Sequence, residues 1–430
     1  MTATVDTPDG AQTTVRRNEW LLVFFTGTTS IADAIGTVAL PVLMLHFTRS
    51  PLLISAVATL RSLPWLLGAL HIGVVVDRLN RRQLMVAAEI ARTVAVGTLL
   101  AGYLTDLLTV PQILVTALVL GVAEVFALLA GASIVPAAVP LGGRDRVNTR
   151  MTGVEYLCHG FVGAPFGGLL VAAGFGYAFG TAAAVYVVGA VLLMMLVGNF
   201  AVQPTTPRGT VHGELRDGLR FLLRHRLLRT MSLLVAVMAG SWAVWYALIA
   251  AYAIGALGLS PGAYGLLLTC LGAGGIVGVL LVGRVNRILG RRWSMFVDII
   301  GTAAMVGVPA VLPQRPESAW IIGAAAFLTG IGGTMWTVNS RVIQQALVPN
   351  EMFGRFSAAT RLVSWGMAPV AALLAGGLAQ LVSYRVAFGV FGVACLVLVI
   401  PFLRVVTADA VRDVDRPSDP AQAPDIATVS

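Results

Sequence analysis

Apolar runs of bilayer length recur from one end of this chain to the other, separated by short polar breaks. They fall at about 20–47, 52–72, 83–104, 111–139, 152–173 and 177–197, then at about 228–254, 262–282, 293–313, 319–340, 354–381 and 385–403. Each approaches the roughly 20 residues that a helix needs to cross a hydrocarbon core. The pattern predicts an all-α membrane protein of twelve transmembrane helices. It divides the chain into a polar tail at 1–18, a six-helix half at 19–197, a connector at 198–227, a second six-helix half at 228–404 and a tail at 405–430. The last segment, rich in Asp, Pro and Ala, reads as disordered. Arg16 and Arg17 precede a run that continues to Phe47, too long for a signal peptide, so this run is expected to be the first span. In the connector, Leu215, Leu219 and Leu222 share one helical face and Arg216, Arg220 and Arg224 the other. That face pattern predicts an amphipathic helix on the inner membrane surface.

The halves repeat. Ser50-Pro51 recurs as Ser260-Pro261, Gly73 as Gly283 and Arg81-Arg82 as Arg291-Arg292, each 210 positions later, and Gly167-Gly168 recurs as Gly376-Gly377 after 209. A shared offset across four motifs is hard to obtain by chance. It points to parallel pseudo-repeats, an arrangement that puts a substrate site between the halves near the membrane midplane.

Composition strengthens this reading. Hydrophobic residues make up 57% of the chain and charged residues 11%, against roughly 25% charged in a soluble domain. The net charge of +9 comes entirely from arginine, since the chain contains no lysine. The arginines cluster between apolar runs at Arg78, Arg81 and Arg82, at Arg144, Arg146 and Arg150, and at Arg284, Arg287, Arg291 and Arg292. By the positive-inside rule these loops, and both termini, face the cytoplasm of a cell whose inner membrane holds the protein. Topology thus accounts for the charge, and no nucleic-acid partner is expected. Cys158, Cys270 and Cys395 lie within apolar segments and read as packing residues. The five histidines show no metal-ligand spacing, and Gly272–Gly278 lacks a phosphate-binding lysine. No metal, cofactor or enzyme activity is expected, and the chain is expected to act as a monomer.

Ionisable residues inside spans cost roughly 2.5 to 3.5 kcal/mol each on insertion scales and point to function. Asp33, Arg61, Glu89, Arg92 and Glu124 stand out. From the helical rise, Asp33 lies about 20 Å from the inner end of its span and Arg61 about 14 Å from the outer end of the next, close enough to pair. Glu124 and Arg92 sit at similar levels, and Glu89, one turn from Arg92, offers that arginine a second partner. Asp33 and Glu124 are the candidate proton carriers; Arg61, Glu89 and Arg92 are their candidate ion-pair partners. Asp298 and Arg361 read as packing or gate residues near the inner end. Trp242, Trp245 and Tyr246, deep in the seventh span, are candidates for an aromatic cavity wall suited to flat apolar or cationic molecules, with ordinary core packing an equal alternative.

The loop Gly73-Val-Val-Val-Asp77-Arg78-Leu-Asn-Arg81-Arg82 resembles the loop signature of the major facilitator superfamily. With it go Ala39-Leu40-Pro41, Ser50-Pro51-Leu52, Arg61 with Pro64, the run Glu214 to His225, Tyr264-Gly-Leu-Leu-Leu, and Gln345 with Pro349 and Gly354-Arg355. Together these look like the branch that contains the enterobactin exporter and macrolide-efflux proteins, over about residues 19–403. The resemblance implies alternating access and export of a small molecule in exchange for protons. It also implies a gating role for the loop, with Asp77 paired to Arg81 and facing a helix N-terminus. Two positions depart from the pattern: Pro165 stands one place late in Gly163-Ala164-Pro165-Phe166-Gly167-Gly168, and Arg287 stands where its repeat partner is Asp77. An importer or uncoupled facilitator on the same fold, and a non-transporting membrane sensor or scaffold, are the alternatives.

Overall fold

The computed structural model describes residues 8–67, 72, 79–198, 200, 211–349 and 352–407, and every regular element among them is helical. The first half holds α1 Pro8–Phe47, α2 Pro51–Leu67, α3 Arg81–Leu104 and α4 Val110–Ala138. Next come α5 Leu141–Glu155 and α6 Ala164–Ala173, joined through a π-helical stretch at Tyr156–Gly163, and then α7 Phe175–Met194. The connector carries α8 Val211–Arg224. The second half holds α9 Arg226–Ala250, which ends in a π-helical turn at Ala251–Ala256, then α10 Pro261–Val311 and α11 Ser318–Leu347. It closes with α12 Phe353–Trp365, α13 Met367–Leu381, α14 Tyr384–Val397 and α15 Val399–Val405.

Ten of the described helical stretches are long and apolar enough to cross a membrane. One of them, α10, is two helices meeting at Gly290, whose φ of 78° breaks the 51-residue run between the predicted eighth and ninth spans. α2 is shorter, with 17 residues, and its predicted run continues into 68–71, outside the described residues.

The repeat seen in sequence reappears as repeated local chemistry. Ser50 Oγ accepts from the Leu53 N–H at 3.3 Å, and Ser260 Oγ from the Ala263 N–H at 3.2 Å, so both serines cap a helix that has proline in its first turn. Arg82 donates to the Leu196 and Met194 carbonyls beyond and at the end of α7, at 3.0 and 2.7 Å. Its counterpart Arg292 donates to the Leu403 carbonyl near the end of the last described helix, at 3.2 Å. Arginine at a helix C-terminus satisfies orphan carbonyls and complements the dipole.

Buried side chains fall into one shared cluster and others confined to one half. The shared core joins Val38 to Met44, Ile54 and Phe175 of the first half with Leu248 to Ala253, Ala375 and Phe388 of the second. These residues lie towards the arginine-poor end of the bundle. At the arginine-rich end, Leu22, Ile134 and Leu193 belong to a cluster drawn only from the first half, and Met231, Met295 and Phe402 to one drawn only from the second. The halves are therefore fused at one end and packed separately at the other.

Small residues bring the halves into contact. A Cβ at Gly265 would meet the backbone of Ala164 and Gly168, and one at Gly272 would meet the backbone of Gly160, so α6 and its π-helical stretch lie directly on α10. The related contact joins α13 to α2, where a Cβ at Gly376 would enter Ser55. Gly168 and Gly376 are members of the repeated glycine pairs.

The apolar face of α8, expected at the lipid surface, turns onto the protein. Leu222 is buried with Leu228, Val348 and Phe356, Phe221 meets Phe356 edge-on at 6.1 Å, and the Gly218 position abuts the Arg355 backbone. The physical reason is that α12 offers a complementary aromatic face at the same level.

Candidate functional site

Five charged residues inside the spans of the first half form one continuous network. α1 supplies Asp33, α2 supplies Arg61, α3 supplies Glu89 and Arg92, and α4 supplies Glu124. Arg61 Nη2 lies 3.5 Å from Asp33 Oδ1, and Arg61 Nε lies 3.5 Å from Glu124 Oε2. Arg92 Nη1 lies 3.7 Å from Asp33 Oδ2 and 2.9 Å from Glu89 Oε1. Asp33 thus bridges both arginines. Glu124, expected at a level similar to that of Arg92, pairs with Arg61. Its side chain is 36% exposed, against 13% for Asp33 and 0% for Glu89, so Glu124 is the acid of the network most open to its surroundings.

Neutral donors and acceptors complete the shell. Tyr186 of α7 donates to Asp33 Oδ1 at 2.7 Å, and its ring lies 5.5 Å beneath the Arg92 guanidinium. Arg61 donates to Thr37 Oγ1 at 3.0 Å, and Thr29 donates to Glu89 Oε2 at 3.3 Å. Tyr186 was not singled out in the sequence. The available signal was a lone tyrosine within an apolar span, a polar tip that must find a partner when buried.

A cavity of about 330 Å³ lies beside the network, between the halves. Ala34 and Thr37, which flank the Asp33 side of α1, line it from the first half, together with Glu155 and His159 of the fifth run. The π-helical stretch Tyr156–Gly163 contains His159 and ends two residues before the late Pro165. A π turn takes one residue more than an α turn and so changes how the residues of this stretch face the cavity.

From the second half, Trp242, Tyr246, Trp336 and Asp298 line the same space. Trp242 and Tyr246 differ by about 40° around the helix, and Trp245 turns away from both. Trp245 is fully buried behind Tyr246, at 5.4 Å between ring centroids, and does not line the cavity. Asp298, expected among packing or gate residues, lines the cavity instead; nothing in its depth along the chain indicated which way the helix presented it. Gly73, Asp77 and Arg78 of the loop signature lie outside the described residues. Arg81 and Arg82 open α3, with the Arg81 N–H donating to the Phe200 carbonyl at 3.3 Å.

The model of the transmembrane secretion effector family, a branch of the major facilitator superfamily, matches residues 12–429. The chain belongs to this family. A relative of this chain is the multidrug efflux pump Tap of Mycolicibacterium fortuitum, 25% identical over 395 residues that cover 90% of this chain and 95% of Tap. Among solved structures, the nucleoside transporter NupG matches with a TM-score of 0.70 and 10% identity over 91% of this chain and 99% of that one. A bacterial homologue of the iron transporter ferroportin, in an inward-facing state, matches with a TM-score of 0.70 and 15% identity over 91% and 99% of the respective chains. These likenesses give the fold of major facilitator transporters, and the family together with the apolar helices makes the chain a multi-pass membrane protein.

Proposed function

We propose that this chain is an exporter of small amphipathic molecules that exchanges them for protons by alternating access, crossing the inner membrane twelve times with both termini in the cytoplasm. The observation that carries the reading is the charge count of the network. Three carboxyls, Asp33, Glu89 and Glu124, face two guanidiniums, Arg61 and Arg92. Arginine keeps its charge under all relevant conditions, so only a carboxyl can take up the proton that neutralises the group. Burial favours the protonated carboxyl and a nearby arginine favours the ionised one. A movement that lengthens or shortens these contacts therefore loads or releases a proton, with Asp33 and Glu124 as the carriers.

Thr37 links this chemistry to the substrate, since it accepts from Arg61 and also lines the cavity. Trp242 and Tyr246 serve as the opposite wall. The fused core lies at the arginine-poor end, which this topology puts outside, so the described arrangement is one closed to the exterior. The Tap pump, a relative over nearly its whole length, supports export rather than import.

Accumulation of a fluorescent amphipathic dye in cells producing the protein tests the reading. Lower accumulation than in control cells, abolished by an uncoupler, is expected. Uncoupler-insensitive or increased accumulation would replace it with a facilitator or an importer, and no effect on any transported probe with a scaffold.

A further inference from the structure

Asp298 is a buried acid outside the network. It is 4% exposed, lines the cavity, and receives one hydrogen bond, from the Thr302 hydroxyl at 3.3 Å. Every acid of the first-half network has an arginine within 3.7 Å, whereas no charged group among the described residues neutralises Asp298. A membrane-embedded carboxylate without a counter-charge is costly unless a cation reaches it.

Resting on the transporter reading above, we infer that the cavity binds small organic cations, with the positive centre held at the Asp298 carboxylate and the apolar body against Trp242 and Tyr246. Three features beyond the carboxylate support this. Space is kept beside it by α11, where a Cβ at Gly333 would lie 3.7 Å from Asp298 Oδ1 and 3.3 Å from the Trp242 ring. Trp242 Nε1 donates to Thr302 Oγ1 at 3.3 Å, so a single hydroxyl ties the aromatic wall to the acid. Among the described lining residues the titratable side chains are the carboxyls of Glu155 and Asp298, the imidazole of His159 and the phenols of Tyr156 and Tyr246, with no arginine. An anion entering this space meets like charge and finds no guanidinium among the described lining side chains, so the lining selects against anions as well as for cations. Aromatic faces add attraction to a desolvated cation.

Equilibrium dialysis of the purified protein tests the inference with three probes of similar shape: tetraphenylphosphonium, uncharged triphenylphosphine oxide and anionic tetraphenylborate. The phosphonium is expected to bind at least tenfold more tightly than the borate. Asp298→Asn is expected to weaken phosphonium binding at least tenfold while leaving the phosphine oxide unchanged. Equal phosphonium binding by parent and Asp298→Asn, or borate binding as tight as phosphonium in the parent, would overturn it. Should the variant fail to fold, a carbodiimide that modifies membrane carboxyls decides the matter in the parent. Phosphonium is expected to protect the Asp298 peptide from modification, read by mass spectrometry, and unprotected modification overturns the inference. Dialysis needs no gradient, so cation binding without uncoupler-sensitive export would sink the exporter reading and leave this one standing.

Discussion

Asp33 contacts two arginines and a tyrosine at once, and substitutions around it change the charge of the whole network. Asp33→Asn brings three carboxyls against two guanidiniums to two against two, so the variant is expected to insert and fold normally. Its gradient-driven export should fail while gradient-free exchange persists, because the proton site is lost and the conformational cycle is not. Reconstituted vesicles assayed with and without a pH gradient distinguish the two activities, and undiminished gradient-driven export would remove Asp33 from proton coupling. Arg92→Gln makes the opposite change. It strands Glu89, which is fully buried, and leaves Asp33 with Arg61 alone, and loss of one member of a buried pair costs about 3–5 kcal/mol. A thermal unfolding comparison should therefore find Arg92→Gln well below Asp33→Asn. The meeting of Asp33 and Arg61 was legible in the sequence because helical rise fixes depth. Their branching to Glu124 and Tyr186 was not, because spans that are apolar on all sides carry no periodic signal of how each is rotated.

The contact between α6 and α10 depends on glycines that no side chain can replace without displacing backbone. Gly272→Ala puts a methyl into Gly160 and is expected to cost about 1–3 kcal/mol, as overpacking does. Gly97→Ala, at a helical position where an added Cβ meets nothing within 4 Å, is expected to be neutral or mildly stabilising. Thermal unfolding of the two variants side by side checks this, and equal midpoints would mean that the seam yields freely. The connector offers a parallel case. Asp217 and Arg355 are both exposed and their 3.6 Å pair contributes little, whereas Gly218 sits against the Arg355 backbone. Gly218→Leu should release α8 and raise proteolysis of the connector, while Asp217→Asn leaves it intact. Here the sequence showed the repeated glycines and the amphipathic face of α8 without showing what either touches. The π-helical stretch before Pro165 was not visible, because nothing in the apolar run Tyr156–Gly163 distinguishes it from an ordinary α-helix.

At the scale of the molecule, the arginine clusters order the loops. In a background lacking Cys158, Cys270 and Cys395, cysteines at Arg216 and Arg287 are expected to be shielded from an impermeant thiol reagent in intact cells, and one at Glu317 to be labelled. Labelling of Arg216→Cys from outside would reverse the topology. The all-helical architecture and the pairing of halves were legible from run length and the 210-residue offset. The position of Asp298 in the cavity was not, since that depends on how the second arm of α10 is rotated against Gly332 and Gly333 of α11.

The odd carboxyl of the first-half network also bears on how the membrane potential enters the cycle. With one proton bound, the five groups cross between states as an electrically neutral unit; without it they carry a single negative charge. Exchange of one proton for an uncharged molecule moves one elementary charge per turnover, worth about 2.3 kcal/mol per 100 mV, whereas exchange for a monocation moves none. Export of an uncharged substrate from vesicles should therefore slow when potassium and valinomycin clamp the potential at zero, while export of a monocation, driven by the pH gradient alone, should continue unchanged.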